Sequence, residues 1–156
     1  MRHYFSTQAD LFAFCMSIFL TRVQYRVESM ELGEDLLQGL QSILLQFLPL
    51  DEDRRMEMEV WLSFNAKTLI HPALQSLSKG MYEGIHKTIM FVLNTLIEHK
   101  LAKENLDPSV EAYKLNAIID GLAMHLITQP QTLSKEMAKH ILSTHLQSLC
   151  KVEGGE

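Results

Sequence analysis

The sequence predicts an all-α domain, a bundle of six helices, and three observations support that prediction. Apolar residues recur at three- and four-residue intervals along most of the 156 positions, which is the period of a helix that buries one face. Sustained strict alternation is missing, as are turn dipeptides between apolar runs. Capping residues and prolines divide the periodic stretches into six segments. A chain of this length can bury a core without disulfides or metals.

The first two helices are bounded by a capping residue and by a proline. Thr7, with Asp10 three residues later, has the pattern of a capping box, in which the hydroxyl accepts a backbone N–H of the first turn. Helix one is therefore predicted over 8–28. Helix two is predicted over 33–48 and ends at Pro49, which lacks the N–H that a longer helix would require.

The third and fourth helices are separated by the His-Pro pair at 71–72. Asp51 is a suitable N-cap for the third helix, and the acidic residues that follow it favour the positive end of the helix dipole. The fourth helix is long, over about 73–102, because its apolar residues keep a three-four spacing throughout. Gly80 and Gly84 lie inside it and indicate a bend or a close helix crossing.

The last two helices also begin at recognisable caps. Asp107 is a suitable N-cap followed by Pro108 at the first helical position, so helix five is predicted from there to about residue 128. The segment "TQPQT" interrupts the pattern. Ser134 then caps helix six, which is predicted to end near Cys150.

Composition and charge exclude several classes of protein. The 19 acidic and 14 basic residues give a net charge of -5, whereas an autonomous nucleic-acid-binding domain usually has a basic balance. The longest apolar run, 11–20, is too short to cross a bilayer, and the pattern of a signal peptide is missing. Cys15 and Cys150 lack the spacing of metal ligands and are typical of a reducing compartment. We therefore expect a cytoplasmic protein with no membrane partner.

The seven histidines do not form a recognisable metal site. His140 and His145 are five residues apart and point to different faces of a helix. Glu83 and His86 have the spacing found in di-iron bundles, but a second such unit is missing, which favours a pair at the surface or at a pocket rim. A phosphate loop, a nucleophile elbow and a Cys-x-x-Cys motif are also missing. We expect no enzyme, no metal and no cofactor; the enzyme alternative, a metal-dependent bundle oxidase, would require bound iron or manganese.

An excess of aromatic and methionine residues on helices one, three and four predicts a pocket for an apolar ligand. Each such side chain is usually plain core, but flexible methionines with aromatic rings together form a core that can open around a ligand. Asn65, one turn from Trp61, could orient that ligand. The predicted pocket residues are Phe12, Met16, Phe19, Trp61, Phe64, Asn65, Met81, His86 and Met90.

Helix five is apolar on two faces, which predicts a homodimer. A helix that is apolar nearly all round must be buried on both sides. The first face meets the core of the domain, and the second, which carries small residues, meets a second subunit in a two-fold contact with helix six alongside. The predicted interface residues are Ala117, Ile118, Gly121, Leu122, Met124, His125, Ile141 and His145.

Four stretches of the sequence, in order, resemble the TetR family of bacterial one-component transcription regulators, particularly its betaine-regulator-like branch. They are "RHYFSTQADLFAF", "RMEMEVWLSFNAKTL", "AIIDGLAMHL" and "LSKEMAKHIL". The resemblance implies a repressor whose C-terminal domain binds a small-molecule effector and dimerises through its last two helices, as a four-helix bundle. It also implies that DNA is contacted only through an N-terminal helix-turn-helix head.

The resemblance also assigns the ends of the chain. Residues 1–7 correspond to the end of the recognition helix, 8–150 to the ligand-binding and dimerisation domain, and 151–156 to a frayed tail. Tyr4 matches the aromatic residue that contacts phosphate in the family, and Thr7 matches the cap of the connecting helix. Gln8 replaces the lysine that is common there, which weakens DNA contact. The alternative expectation is a headless helical scaffold that dimerises without binding DNA.

Overall fold

The computed structural model describes residues 7–153 of the chain. Over that range it contains six α-helices and one short 3-10 helix, so the prediction of an all-α fold is confirmed. None of the helices in the described range is long and apolar enough to cross a membrane. The helices are α1 (Gln8–Glu28), α2 (Leu36–Leu45), α3 (Glu52–Thr68), α4 (Gln75–Glu98), α5 (Pro108–Thr128) and α6 (Lys135–Ser148), and the 3-10 helix is Pro72–Leu74.

The four predicted N-caps are confirmed by hydrogen bonds from the first turn of each helix. The side chains of Thr7, Asp51, Asp107 and Ser134 each accept a backbone N–H two or three residues later, at 2.8 to 3.1 Å. These bonds satisfy donors that have no partner within the helix. The bounds of α1 and α5 therefore agree with the sequence prediction.

Helices α2 and α4 are shorter than predicted. Asp35 caps α2 and accepts the Gln38 N–H at 3.1 Å, so the helix begins at residue 36 and not at 33. The 3-10 helix precedes α4, and Lys100, with a φ of 58°, turns the chain away beyond its C-terminal end. Both differences arise at helix ends, where local hydrogen bonds decide the boundary.

The end of α6 is attached to the loop between α4 and α5. Ala102 and Cys150 form an antiparallel bridge, in which the Lys103 N–H donates to the Leu149 carbonyl and the Lys151 N–H donates to the Leu101 carbonyl. The expectation of a frayed tail from residue 151 is therefore wrong for Lys151, because its backbone is held. Residues 154–156 lie outside the described range.

Two clusters of apolar side chains form the core. The larger cluster joins α2, α4, α5 and α6 and also includes Val23 of α1 and Met58 of α3; its fully buried members include Leu44, Ile89, Leu115 and Leu142. The smaller cluster joins α1, α3 and the start of α4. Trp61 packs against both clusters, so it lies at their junction. Helix α1 packs on α3, and α4 packs on α5.

Candidate functional site

A groove lies between α1 and α4, because these two helices pack on different neighbours. Its larger cavity has a volume of about 450 Å³, within the range of small-molecule pockets. A second cavity of about 330 Å³ shares residues from both helices with the first, so the two form one continuous groove. We call it the α1–α4 groove. Its apolar lining consists of Leu20, Val23, Val27, Met30, Leu32, Ile43, Phe47, Met81, Ile85 and Phe91.

Glu28, Lys87 and Thr88 are the polar residues that line both cavities, at the point where the cavities meet. Glu28 accepts a hydrogen bond from Gln24 at 2.9 Å, and the Thr88 hydroxyl donates to the Gly84 carbonyl at 3.3 Å. The Lys87 ammonium forms no ion pair or hydrogen bond with any part of the chain that the structure describes. The Lys87 ammonium is therefore a hydrogen-bond donor of the groove that is available to a ligand.

Gly80 and Gly84 line the groove on consecutive turns of α4. A Cβ atom added at either position would meet nothing within 4 Å in the described chain. The expectation of a close helix crossing is therefore wrong for both glycines within the described chain, while a bend in α4, which is continuous through both positions, stays a prediction. A glycine inside a helix costs about 1 kcal/mol relative to alanine. No packing contact in the described chain offsets that cost. The missing side chains leave the groove open.

Five of the nine predicted pocket residues come together, but as packed core. Met16, Phe64 and Met81 are buried in the smaller cluster, and Phe19 and Trp61 pack against them. Met81 alone among the nine lines the α1–α4 groove. The apolar residues that line the groove on α1 were not among the predicted pocket residues. Their spacing is that of any buried helix face, so no local signal distinguishes a groove wall from core.

The other four predicted pocket residues lie in separate places. The Phe12 ring is 4.6 Å from the Lys67 ammonium, and Asn65 donates to the Trp61 carbonyl of its own helix at 2.8 Å. His86 lies beside the rings of Tyr82 and Tyr113 at the surface between α4 and α5. Met90 packs against the larger cluster. Contact between a ligand and these residues stays a prediction.

The outward surface of α5 and α6 exposes apolar side chains at helical spacing. We call it the α5–α6 face, and it comprises Val110, Ala117, Gly121 and Met124 with Met137 and Ile141. A Cβ atom added to Gly121 would meet no described atom within 4 Å. Packing against another helix of the same subunit therefore does not explain this glycine. Such a surface is typical of an interface between subunits.

Most of the predicted interface residues lie on or beside this face. Ala117, Met124, His125 and Ile141 are exposed, and Gly121, Ile118 and His145 are half-buried. Leu122 differs, because it is only 7% exposed and belongs to the larger core cluster of its own subunit. Leu122 packs beneath the residues of this face, and its side chain is not available for contact with a second subunit.

Polar groups on α5 and α6 are partly desolvated. Burial raises the pKa of Asp120 to about 6, and no described residue pairs with its carboxylate. Burial is also the main cause that lowers the pKa of His145, where Glu111 acts in the opposite direction and Lys114 in the same direction. The side-chain amide of Asn116 is buried and has no hydrogen-bond partner in the described chain. Asp120 is therefore mostly ionised at pH 7 although it is partly buried, and the neutral form of His145 is favoured there.

The positions considered for metals, and Thr7 of the two considered for DNA contact, have ordinary surroundings in the structure. Among residues 7–153, no group of three His, Cys, Asp or Glu side chains is placed to hold a metal. Glu83 is 3.8 Å from Lys79, while His86 contacts tyrosine rings. Thr7 caps α1, as described above. Tyr4 lies outside the described residues.

Two solved structures have a fold similar to that of this chain. A transcriptional regulator from Rhodococcus sp. Rha1 superposes with a TM-score of 0.78 at 27% identity, over 93% of this chain and 74% of that one. A TetR-family transcriptional regulator from Rhodococcus sp. superposes with a TM-score of 0.79 over 94% of this chain and 77% of that one; at 18% identity, it shows the fold alone. The six helices thus have the fold of these two regulators.

Sequence comparison gives the family. The model described as "BetI-type transcriptional repressor, C-terminal" matches residues 37–151. The HTH-type transcriptional regulator PksA of Bacillus subtilis (strain 168) is 35% identical in an alignment 156 residues long that covers 96% of this chain and 72% of PksA. The chain belongs to the TetR family of transcriptional regulators, in its BetI-type branch. The resemblance drawn from the four sequence stretches is confirmed.

Proposed function

We propose that this chain is the effector-sensing and dimerisation domain of a TetR-type repressor. Its effector is a small apolar or amphipathic molecule, and DNA is contacted through a helix-turn-helix head that precedes α1. The observation that carries the proposal is the α1–α4 groove, a cavity of about 450 Å³ beside the helix that would join the head. The proposed location is the cytoplasm, and the domain has no catalytic role.

The packing of α1 supports a mechanism for sensing. Helix α1 packs mainly on α3 and meets the start of α4 in the smaller cluster, while the groove lies between α1 and the rest of α4. A ligand that fills the groove binds best to one separation of α1 and α4, so it shifts the population toward that separation. Because α1 would lead directly to the head, this shift changes the geometry with which two heads meet DNA.

The α5–α6 face supports the dimeric part of the proposal. In a two-fold dimer the same surface of both subunits would be buried, and a repressor needs two heads to bind two half-sites of an operator. The scaffold alternative requires only this face. It gives no role to the groove, and the relatives that match the chain are transcriptional regulators.

A binding screen on the 156-residue chain tests the sensing role. The single tryptophan, Trp61, lies at the junction of the two core clusters, and one of these contributes Met81 to the groove. We expect at least one compound from a panel of apolar and amphipathic molecules to change Trp61 fluorescence saturably. The same compound should raise the melting temperature by mass action. A panel that changes neither signal at millimolar concentration would contradict the sensing role.

A further inference from the structure

We propose that Gly80 and Gly84 keep the groove open for an elongated aliphatic carboxylate, whose head group pairs with Lys87. This inference rests on the proposed sensing function and names the class of effector. Three features of the groove carry it: its bare floor, its length and the ammonium of Lys87, which has no partner among residues 7–153.

The bare floor is formed by the two glycines on consecutive turns of α4. Each has open space where a Cβ atom would lie, so a larger side chain would occupy the groove and disturb nothing else in the described chain. A helix with alanine or leucine at these positions would be more stable in isolation. The absence of side chains at these positions therefore increases the volume of the groove and the size of the ligand that can lie there.

The length of the groove favours a linear ligand. The larger and the smaller cavity follow one another along α4 from Gly80 to Phe91, a distance of about 16 Å at 1.5 Å per residue. The walls along this path are mostly aliphatic, with Leu20, Val23 and Val27 on the α1 side. A medium-chain alkyl group fits such a path better than a compact ring system.

The ammonium of Lys87 favours a ligand with an anionic head group. Lys87 lines both cavities where they meet, and its ammonium has no acceptor among residues 7–153. Glu28 is the second charged group there; one of its carboxylate oxygens accepts a hydrogen bond from Gln24, and as an acceptor it offers nothing to an anionic head group. An anionic head group would therefore meet a free ammonium, and its alkyl chain would extend past Gly84 toward Gly80.

Binding of three probes with the same alkyl chain tests the class of ligand. The probes are decanoate, decanol and decyltrimethylammonium, each below its micellar concentration, titrated into the 156-residue chain with Trp61 fluorescence and calorimetry as readouts. We expect decanoate to bind most tightly. Lys87→Gln should weaken decanoate by about five- to tenfold and leave decanol unchanged. Lys79→Gln, on the same helix but outside the groove, is the matched control and should bind decanoate normally.

Substitution of the groove floor tests the location. Gly84→Leu should weaken decanoate by at least about tenfold while the protein stays folded by circular dichroism, since a Cβ atom at this position meets no described atom within 4 Å and the rest of the side chain enters the groove. Gly84→Ala should have a smaller effect in the same direction. Unchanged decanoate binding by Gly84→Leu would overturn the assignment of the groove.

The remaining outcomes separate this inference from the proposed function. Tight binding of decyltrimethylammonium or decanol without decanoate would overturn the anionic head group, but sensing itself would stand. The same holds if other compounds in the panel bind and lose affinity in Gly84→Leu while none of the three probes binds. Failure of the probes and of the whole panel would overturn both proposals.

Discussion

Arg26 and Glu57 form a bidentate ion pair between α1 and α3. The Arg26 Nη1 and Nη2 atoms lie 2.6 and 2.7 Å from the two carboxylate oxygens of Glu57, which is only 1% exposed. Arg26 Nε also donates to Gln46 beyond the end of α2. The hydrogen bonds to Glu57 raise the pKa of Arg26, so the guanidinium stays charged. Because Val27 and Glu28 line the groove, this pair fixes the part of α1 on which a ligand would press.

Removal of the guanidinium should destabilise the domain strongly. Arg26→Met leaves a buried carboxylate without its partner, which should lower the free energy of unfolding by about 2–4 kcal/mol at neutral pH. Urea unfolding measures this change. Arg55→Met on α3 is the control, because the pair between Arg55 and Glu59 is exposed and should contribute about 0.5 kcal/mol or less. Equal losses in both variants would contradict the special role of the buried pair.

Asp120 should make stability depend on pH. Burial raises its folded-state pKa to about 6 from an ordinary value of 3.8, so the folded protein retains a proton that the unfolded chain has released. The stability associated with this group is present below pH 4 and is lost as the pH rises through about 6. The rest of the chain is unchanged in Asp120→Asn, which lacks this titration.

The comparison of wild type with Asp120→Asn isolates this effect. Relative to the variant, the free energy of unfolding of wild type should fall by about 1–2 kcal/mol between pH 4 and pH 7, less than the full pKa change implies because the side chain is partly solvated. Chemical denaturation at a fixed protein concentration measures it, since assembly also affects stability. A difference that does not vary over this pH range would contradict the assignment.

Two glycine-to-alanine substitutions should act in opposite directions. A Cβ atom on Gly39 would overlap the backbone carbonyl of Leu32, in the loop before α2. Gly39→Ala should therefore destabilise the protein by about 1–3 kcal/mol despite the better helix propensity of alanine. Gly84→Ala meets no such obstacle and should stabilise it by about 0.5–1 kcal/mol. Thermal and urea unfolding would detect the two signs, and stabilisation by both would show that the loop can yield.

Features with local causes were predictable from the sequence. The caps at Thr7, Asp51, Asp107 and Ser134 depend on a side chain and a backbone group within three residues, and all four are present. The bounds of α5 follow from Asp107 and a proline at its first position. The two apolar faces of α5 were also visible, since they depend only on helical spacing.

Features that depend on distant packing were not predictable. The α1–α4 groove exists because α1 packs on α3 while α4 packs on α5. The sequence of one helix does not determine which helix it packs on. Phe64 and Trp61 were assigned to a pocket because an adaptable core and a plain core have the same residue pattern. Gly80 and Gly84 were recognised as unusual. Their effect depends on the open space beside them, which the packing of the other helices determines.

Gly121 provides the most direct test of the proposed dimer. It lies on the α5–α6 face with open space around it, so Gly121→Arg should leave the subunit folded. In the dimer, the same position would be covered by the partner subunit, and a buried guanidinium without a partner opposes association. Gly80→Arg is the matched control, because it places the same side chain in open space on α4, away from this face.

The measurement is the mass in solution by multi-angle light scattering at tens of micromolar, with circular dichroism as the check on folding. We expect about twice the chain mass of 17.9 kDa for wild type and for Gly80→Arg. For Gly121→Arg we expect the mass of one folded chain. A monomeric wild type, or a Gly121→Arg variant that remains dimeric, would contradict the assignment of the α5–α6 face as the dimer interface.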